Sequence, residues 1–258
     1  MLRFSANLSM LFQEYDFLER FDKAAEHGFR GVEFMFPYDY DIDVLQHALT
    51  RNQLQHTLHN LPAGDWAAGE RGIACIPGRE EEFREGVTAA IRYARALGNH
   101  KINCLVGKAP AGFTPEQIRS TLVENLRFAA TAMAKENILL LIEPINHFDI
   151  PGFYLTGTRQ ALALIEETGC RNIKIQYDIY HMQRMEGELV NTMTEHAAQI
   201  GHLQIADNPR RGEPGTGEIN YAFIFDVIKN SPYEGWVGCE YKPLTTTEEG
   251  LSWLSRYQ

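Results

Sequence analysis

Eight short strand-like runs alternate with helical patterns or with loops leading to them along the whole of this chain. The runs are residues 3–7, 31–34, 53–59, 101–106, 138–143, 173–178, 202–206 and 236–240. Such alternation implies parallel strands joined by helical crossovers. Eight units suit a closed (β/α)8 TIM barrel better than an open doubly wound sheet, and about 250 residues is usual for that barrel. The chain has 258 residues and no evident linker, so residues 1–258 read as one α/β domain. No GxGxxG opens a helix after the first strand, so a dinucleotide fold lacks its fingerprint.

The helical segments show in their period. Phe83, Val87, Ala90, Ile91, Ala94 and Leu97 form one stripe, and Ile118, Leu122, Leu126, Ala129 and Met133 form another. Thr114-Pro115-Glu116-Gln117 has the form of a capping box with proline at the first helical position, and Thr246 with Glu249 repeats the capping spacing. Gly28, Gly98 and Gly169 stand just past helical stretches, where a left-handed residue is wanted. The long connection 61–79 is rich in Gly, Ala and Pro. Loops of that length are often lids or binding loops.

A barrel gathers the C-terminal ends of its strands at one face, where its chemistry is done. Four successive runs in the second half carry Glu143, Asp178, Gln204 and Glu240 at or near their ends. Three carboxylates and an amide oxygen converging there make a hard, oxygen-rich cage. Without a cation the carboxylates would repel one another and take up protons. Oxygen-only ligation points to Mg²⁺ or Mn²⁺ over Zn²⁺. Glu143 and Glu240 also offer a base and an acid. His181 follows Asp178 by three positions, His59 ends the third run, and Lys108, Arg210, Arg211 and Lys242 lie just beyond strand ends. One or two of these cations would serve a small anionic substrate, although each taken singly also fits an ordinary surface pair. Trp66, Glu70 and Arg71 in the long loop stand where they could close over a ligand.

The net charge of −10, from 34 acidic against 24 basic residues, argues against a nucleic-acid partner. Cys75, Cys104, Cys170 and Cys239 show no CxxC spacing, which suits buried thiols in a reducing compartment. Neither a signal-like stretch nor a membrane-spanning run is present. A cytoplasmic protein is the expectation. Its partner would be a small molecule, and a homodimer is compatible with the fold.

Several long strings carry a family resemblance. They include Phe4-Ser-Ala-Asn-Leu-Ser9, Asn60-Leu-Pro-Ala-Gly-Asp-Trp66, Glu143-Pro-Ile-Asn-His147, Gln176-Tyr-Asp-Ile-Tyr-His181 and Gly238-Cys-Glu-Tyr-Lys-Pro243. Through them the chain resembles the xylose-isomerase-like barrel superfamily and, within it, the bacterial hydroxypyruvate isomerases. The resemblance implies metal ligands at Glu143, Asp178, Gln204 and Glu240, with Glu143 and Glu240 as the acid/base pair. It implies isomerisation of hydroxypyruvate to tartronate semialdehyde by metal-assisted proton transfer, with His181 and Arg210 or Arg211 holding substrate oxygens. His59 and Lys108 are further substrate-binding candidates. The related ketose epimerases usually carry histidine where this chain has Gln204, which makes epimerisation less fitting. The alternatives are an isomerase of a related 2-oxo acid such as 2-oxo-tetronate, a metal-dependent endonuclease of the same superfamily and a non-enzymatic sugar-acid binder.

Overall fold

The computed structural model describes residues 2–257. Eight strands close into one parallel barrel in chain order, with β8 returning to β1. They are β1 (Arg3–Asn7), β2 (Gly31–Glu33), β3 (Gln55–Asn60), β4 (Lys101–Cys104), β5 (Leu139–Ile142), β6 (Ile173–Asp178), β7 (Ile200–Ile205) and β8 (Trp236–Cys239). Every expected strand is present. The third starts later than expected because Gln53, just after the helix Ile42–Arg51, has a left-handed φ of 53°.

The amphipathic stripes face inward as their period requires. Phe83, Val87, Ala90 and Ala94 are buried on the helix Glu80–Ala96, and Ile118, Leu122, Leu126, Ala129 and Met133 on the helix Pro115–Ala134. Thr114 and Gln117 form the full capping box. Thr246 accepts from the Glu249 amide. Gly28, Gly98 and Gly169 all have positive φ. The apolar core lies between the strands and the surrounding helices, where Ile102, Leu140, Ile142, Val237 and Cys239 pack. The four cysteines are free, and Cys75, Cys104 and Cys239 are buried. Among the described residues no helix is long and apolar enough to cross a membrane.

The barrel interior is different, because much of it is polar. Ser5 of β1 bonds Thr57 of β3, past the intervening β2, at 2.7 Å, and Lys101 Nζ reaches the Gly201 carbonyl at 2.8 Å. Above them Glu33 accepts from Asn7 at 3.1 Å, from Gln204 at 2.8 Å and, through its other oxygen, meets His202 at 2.8 Å. Gly238 makes room for this carboxylate, since a Cβ there would lie 2.5 Å from both of its oxygens. These side chains fill a space that branched aliphatic residues usually fill, and the hydrogen bonds offset their burial, with His202 Nδ1 left without a partner among the described residues.

Residues 61–79 run over the catalytic face and are laced to the barrel. Leu61 N donates to Asn103 O at 2.8 Å, Cys75 N to Val106 O at 2.9 Å and Lys108 Nζ to Gly69 O at 2.9 Å. At Gly72, with φ +108°, a Cβ would lie 1.8 Å from the Leu105 carbonyl oxygen. Gly72→Ala is therefore expected to lose at least about 2 kcal/mol of stability through strain and displacement of the loop. Denaturant unfolding checks it, and a variant as stable as the parent would show that the loop yields freely there.

Candidate active site

Glu143 and Glu240 directly follow β5 and β8, Asp178 ends β6, and Gln204 lies in β7. All four are buried at the C-terminal end of the barrel. Glu143 Oε2 accepts from Asn103 at 3.0 Å and from Gln176 at 2.9 Å. The same Gln176 amide donates to Gln204 Oε1 at 2.7 Å, while Gln204 Nε2 donates to Glu33. An ionised carboxylate only accepts. Glu33 therefore fixes the Gln204 amide with its nitrogen inward and its oxygen turned toward the Glu143 side.

Asp178 Oδ1 caps the short helix Ile179–Met185, accepting from Tyr180 N at 2.8 Å and His181 N at 3.3 Å. Its Oδ2 is buried without a hydrogen-bond partner. That turn brings His181 back over the site, with Nε2 3.6 Å from Asp178 Oδ2 and 4.0 Å from Glu143 Oε1. Asn146 Nδ2 lies 2.6 Å from His181 Nδ1, and Asn146 is itself held by Asp149. Arg211 completes the cluster. Its Nη2 is 2.6 Å from Glu240 Oε2 and 3.6 Å from Asp178 Oδ2. Glu240 Oε1 accepts from Asn7 at 3.2 Å.

Burial raises the pKa of Glu143 well above the carboxylate range, and the charges of Glu240 and Asp178 push it further. Burial likewise raises Glu240 and Asp178, against the pull of Arg211. His181 is pushed well below the usual range by burial and by Arg211 and Arg184, so it is neutral at pH 7. Burial disfavours the charge on Arg211, but Glu240, Asp178 and Glu143 outweigh it and its pKa is raised.

The donor set fits a divalent cation. One ligand atom each from Glu143, Asp178 and His181 lie within 4.8 Å of one another. The partnerless Asp178 oxygen and the raised carboxylate pKa values mark negative charge that the protein answers only in part. His181 belongs to this group, which the sequence analysis did not give it.

A cavity of about 470 Å³ opens above the cluster, lined among others by Glu143, His181, Arg211 and Glu240. Arg210 also lines it, as an exposed side chain at the rim. Two of the expected substrate contacts lie elsewhere. A bulge between β2 and β3, with Val32 opposite His56 and Glu33 opposite Leu58, shifts the alternation of β3. Asn60 then lines the cavity. His59 points outward, meeting the Ala90 carbonyl at 3.3 Å and Asn99 at 3.2 Å. Lys108 is occupied with Gly69. From the long loop, Trp66 and Arg71 line the cavity, whereas Glu70 turns to Arg79.

Sequence reasoning missed Asn7, Glu33, Asn103, Asn146 and Gln176. The signal for some of them was present: Lys174, Gln176 and Asp178 alternate with Ile173, Ile175 and Tyr177 in one strand.

The family described as xylose isomerase-like TIM barrel matches residues 21–257. The chain is 79% identical over 258 residues to a protein of Escherichia coli (strain K12) named hydroxypyruvate isomerase, covering 100% of each. It is 46% identical over 257 residues to 2-oxo-tetronate isomerase of Cupriavidus necator, covering 100% of this chain and 99% of the other. A crystal structure from Brucella melitensis, described as AP endonuclease, family 2, matches with a TM-score of 0.97 and 44% identity over 100% of both chains.

The electrostatics have a consequence for stability. A carboxylate raised in the folded state binds protons there that the unfolded chain, with values near 4, has released. Protein stripped of divalent cations should therefore become less stable as pH rises from roughly 5 toward 8. Mn²⁺ should add a stabilisation that grows over the same range. Melting temperatures in EDTA and in Mn²⁺ test this, and an Mn²⁺ increment that shrinks with pH would contradict it.

Proposed function

The chain belongs to the xylose isomerase-like TIM barrel family, and we propose that it isomerises hydroxypyruvate and tartronate semialdehyde. The observation that carries this reading is the pair of buried glutamates, Glu143 and Glu240, in one small-molecule cavity with a candidate metal group between barrel strands. The name carried by the E. coli relative at 79% identity supports the substrate.

Glu143, Asp178 and His181 would hold the cation, with Gln204 and Glu240 as the further ligands implied by the family pattern. Mg²⁺ or Mn²⁺ suits a set of mainly oxygen donors. Bound there, such an ion supplies Lewis-acid stabilisation of negative charge on substrate oxygen, worth several kcal/mol. One of Glu143 and Glu240 takes a proton from C3 of hydroxypyruvate, leaving the electron pair in an enediolate. That glutamate or the other then delivers a proton to C2, while the C3 hydroxyl proton passes to the C2 oxygen, so that C3 becomes the aldehyde and C2 carries the hydroxyl. General acid–base groups of this kind contribute about 10²–10⁴-fold. Burial raises both glutamates above the ordinary carboxylate range, Glu240 to about 8, so each is a stronger base than a free carboxylate. Arg211 holds Glu240 in place at 2.6 Å. Neutral His181 would place a substrate oxygen or a ligand bond without adding charge.

A 2-oxo-tetronate isomerase is the second reading, favoured by the relative at 46% identity and by a cavity of about 470 Å³ that has room for a fourth carbon. The endonuclease description of the Brucella protein fits less well. The charge of −10 and the small cavity suit a small acid better than a DNA duplex. A passive binder would not need two buried glutamates facing one cavity. The free cysteines fit a reducing, cytoplasmic setting.

Glu240→Gln should fold normally and lose about 10²–10⁴-fold in turnover of hydroxypyruvate. EDTA should silence the parent enzyme, and Mg²⁺ or Mn²⁺ should restore it. Parental activity in the folded variant would defeat the acid/base assignment, and full activity in metal-free protein would defeat the cation's role.

A further inference from the structure

A 2-oxo acid carries a permanent negative charge into the cavity, and a cation must meet it. Five cationic side chains line the cavity: Arg71, Arg184, Arg210, Arg211 and Lys242. Two are committed elsewhere. Arg184 pairs with Asp149 and donates to the Tyr180 hydroxyl at 2.8 Å, and Arg211 pairs with Glu240 and Asp178. Arg210 and Lys242 are exposed, so water competes for them and ordering their long side chains costs entropy.

Arg71 differs from all four. Its guanidinium carbon lies 3.9 Å from the centroid of the Trp66 ring. Nη1 donates to the Trp66 carbonyl at 3.1 Å and to the Glu70 carbonyl at 2.6 Å. Stack and bonds fix the plane of the group. They leave Nε and Nη2 without a protein partner among the described residues, and these are a side-on pair that can take a carboxylate in bidentate fashion. The adjoining Glu70 does not compete, because one oxygen accepts from Asp65 N at 2.6 Å and the other is paired with Arg79. The backbone beside Arg71 is fixed as well, with Gly72 against the Leu105 carbonyl and Gly69 held by Lys108. A half-buried arginine, already ordered and with no acidic partner among the described residues, loses little freedom on taking a ligand.

We propose that Arg71 is the anchor for the substrate's carboxylate and so the residue that selects acids over neutral ketoses, a reading that rests on the 2-oxo acid chemistry proposed above. The long loop then serves as the wall of the site that reads the acid group, while the carboxylate cluster serves the reacting carbons.

The test compares the parent with Arg71→Met and Arg71→Lys, all loaded with Mg²⁺ and all checked for folding by thermal melting. Steady-state turnover of hydroxypyruvate is measured alongside calorimetric binding of hydroxypyruvate and of dihydroxyacetone, which carries a hydroxymethyl group in place of the carboxylate. In Arg71→Met the KM and the dissociation constant for hydroxypyruvate should rise roughly 10- to 100-fold, the worth of charge-assisted hydrogen bonds. The kcat should change by much less, and the preference for the acid over dihydroxyacetone should shrink by the same factor. Arg71→Lys keeps a point charge but loses the fork, and should fall between the two; it also carries the test if the methionine variant does not fold. Unchanged KM and binding in a folded variant would overturn the anchor and leave the reaction standing. Binding that depends on Arg71 in a parent enzyme without turnover would keep the anchor and overturn the reaction. A parent that neither binds nor converts hydroxypyruvate would overturn both.

Discussion

Negative charge buried at the top of the barrel is the constraint that the site is arranged around. Glu143, Asp178 and Glu240 are all buried in one cluster, and Glu33 lies just beneath them. Carboxylates in such surroundings either take up protons or are met by positive charge and hydrogen-bond donors. This protein meets them in layers. Amides from Asn103 and Gln176 donate to Glu143 and that of Asn7 to Glu240, while Gln204 donates to Glu33 beneath them. Arg211 meets Glu240 and Asp178 from the loop after β7. Asp178 Oδ2 still has no hydrogen bond, with Arg211 only at 3.6 Å, and Glu143 pairs with no arginine among the described residues; the remaining charge is what a divalent cation would answer.

The polar interior of the barrel follows from the same need. A greasy barrel core would leave the inner oxygens of Glu143 and Glu240 without partners. Glu33 helps to set the polarity of the network, since as an acceptor it fixes the Gln204 amide, and Gln176 then bridges Gln204 and Glu143. Gly238 is small because the Glu33 carboxylate occupies the space its side chain would need. The catalytic face thus rests on a hydrogen-bonded column that reaches down among the strands.

Much of this was legible in the sequence. Parallel strands buried on both sides read as apolar runs, and their alternation with amphipathic helices showed all eight. Glu143, Asp178 and Glu240 were readable because a carboxylate closing an apolar run stands out. His59 misled because the β2–β3 bulge changes which residues of β3 face inward, and no local pattern announces a bulge of that kind. His181 was expected to hold substrate oxygens, but its part in the metal group depends on Asp178 capping the next helix. Asn7 and Glu33 escaped notice because their partners are distant in sequence, as with the Asn7–Glu240 contact between β1 and the end of β8. Arg71 could be assigned to the loop but not to a task, since its freedom from Glu70 depends on Arg79.

Proton NMR of the Mg²⁺-loaded protein with hydroxypyruvate in D₂O tests the proton-transfer chemistry most directly. Tartronate semialdehyde should form and should carry solvent deuterium at C2, because the glutamate that returns the proton has exchanged with water. No conversion with metal bound would contradict the isomerase reading. Conversion with C2 wholly protiated would contradict glutamate-mediated proton transfer through an exchanging site and point to direct hydrogen migration.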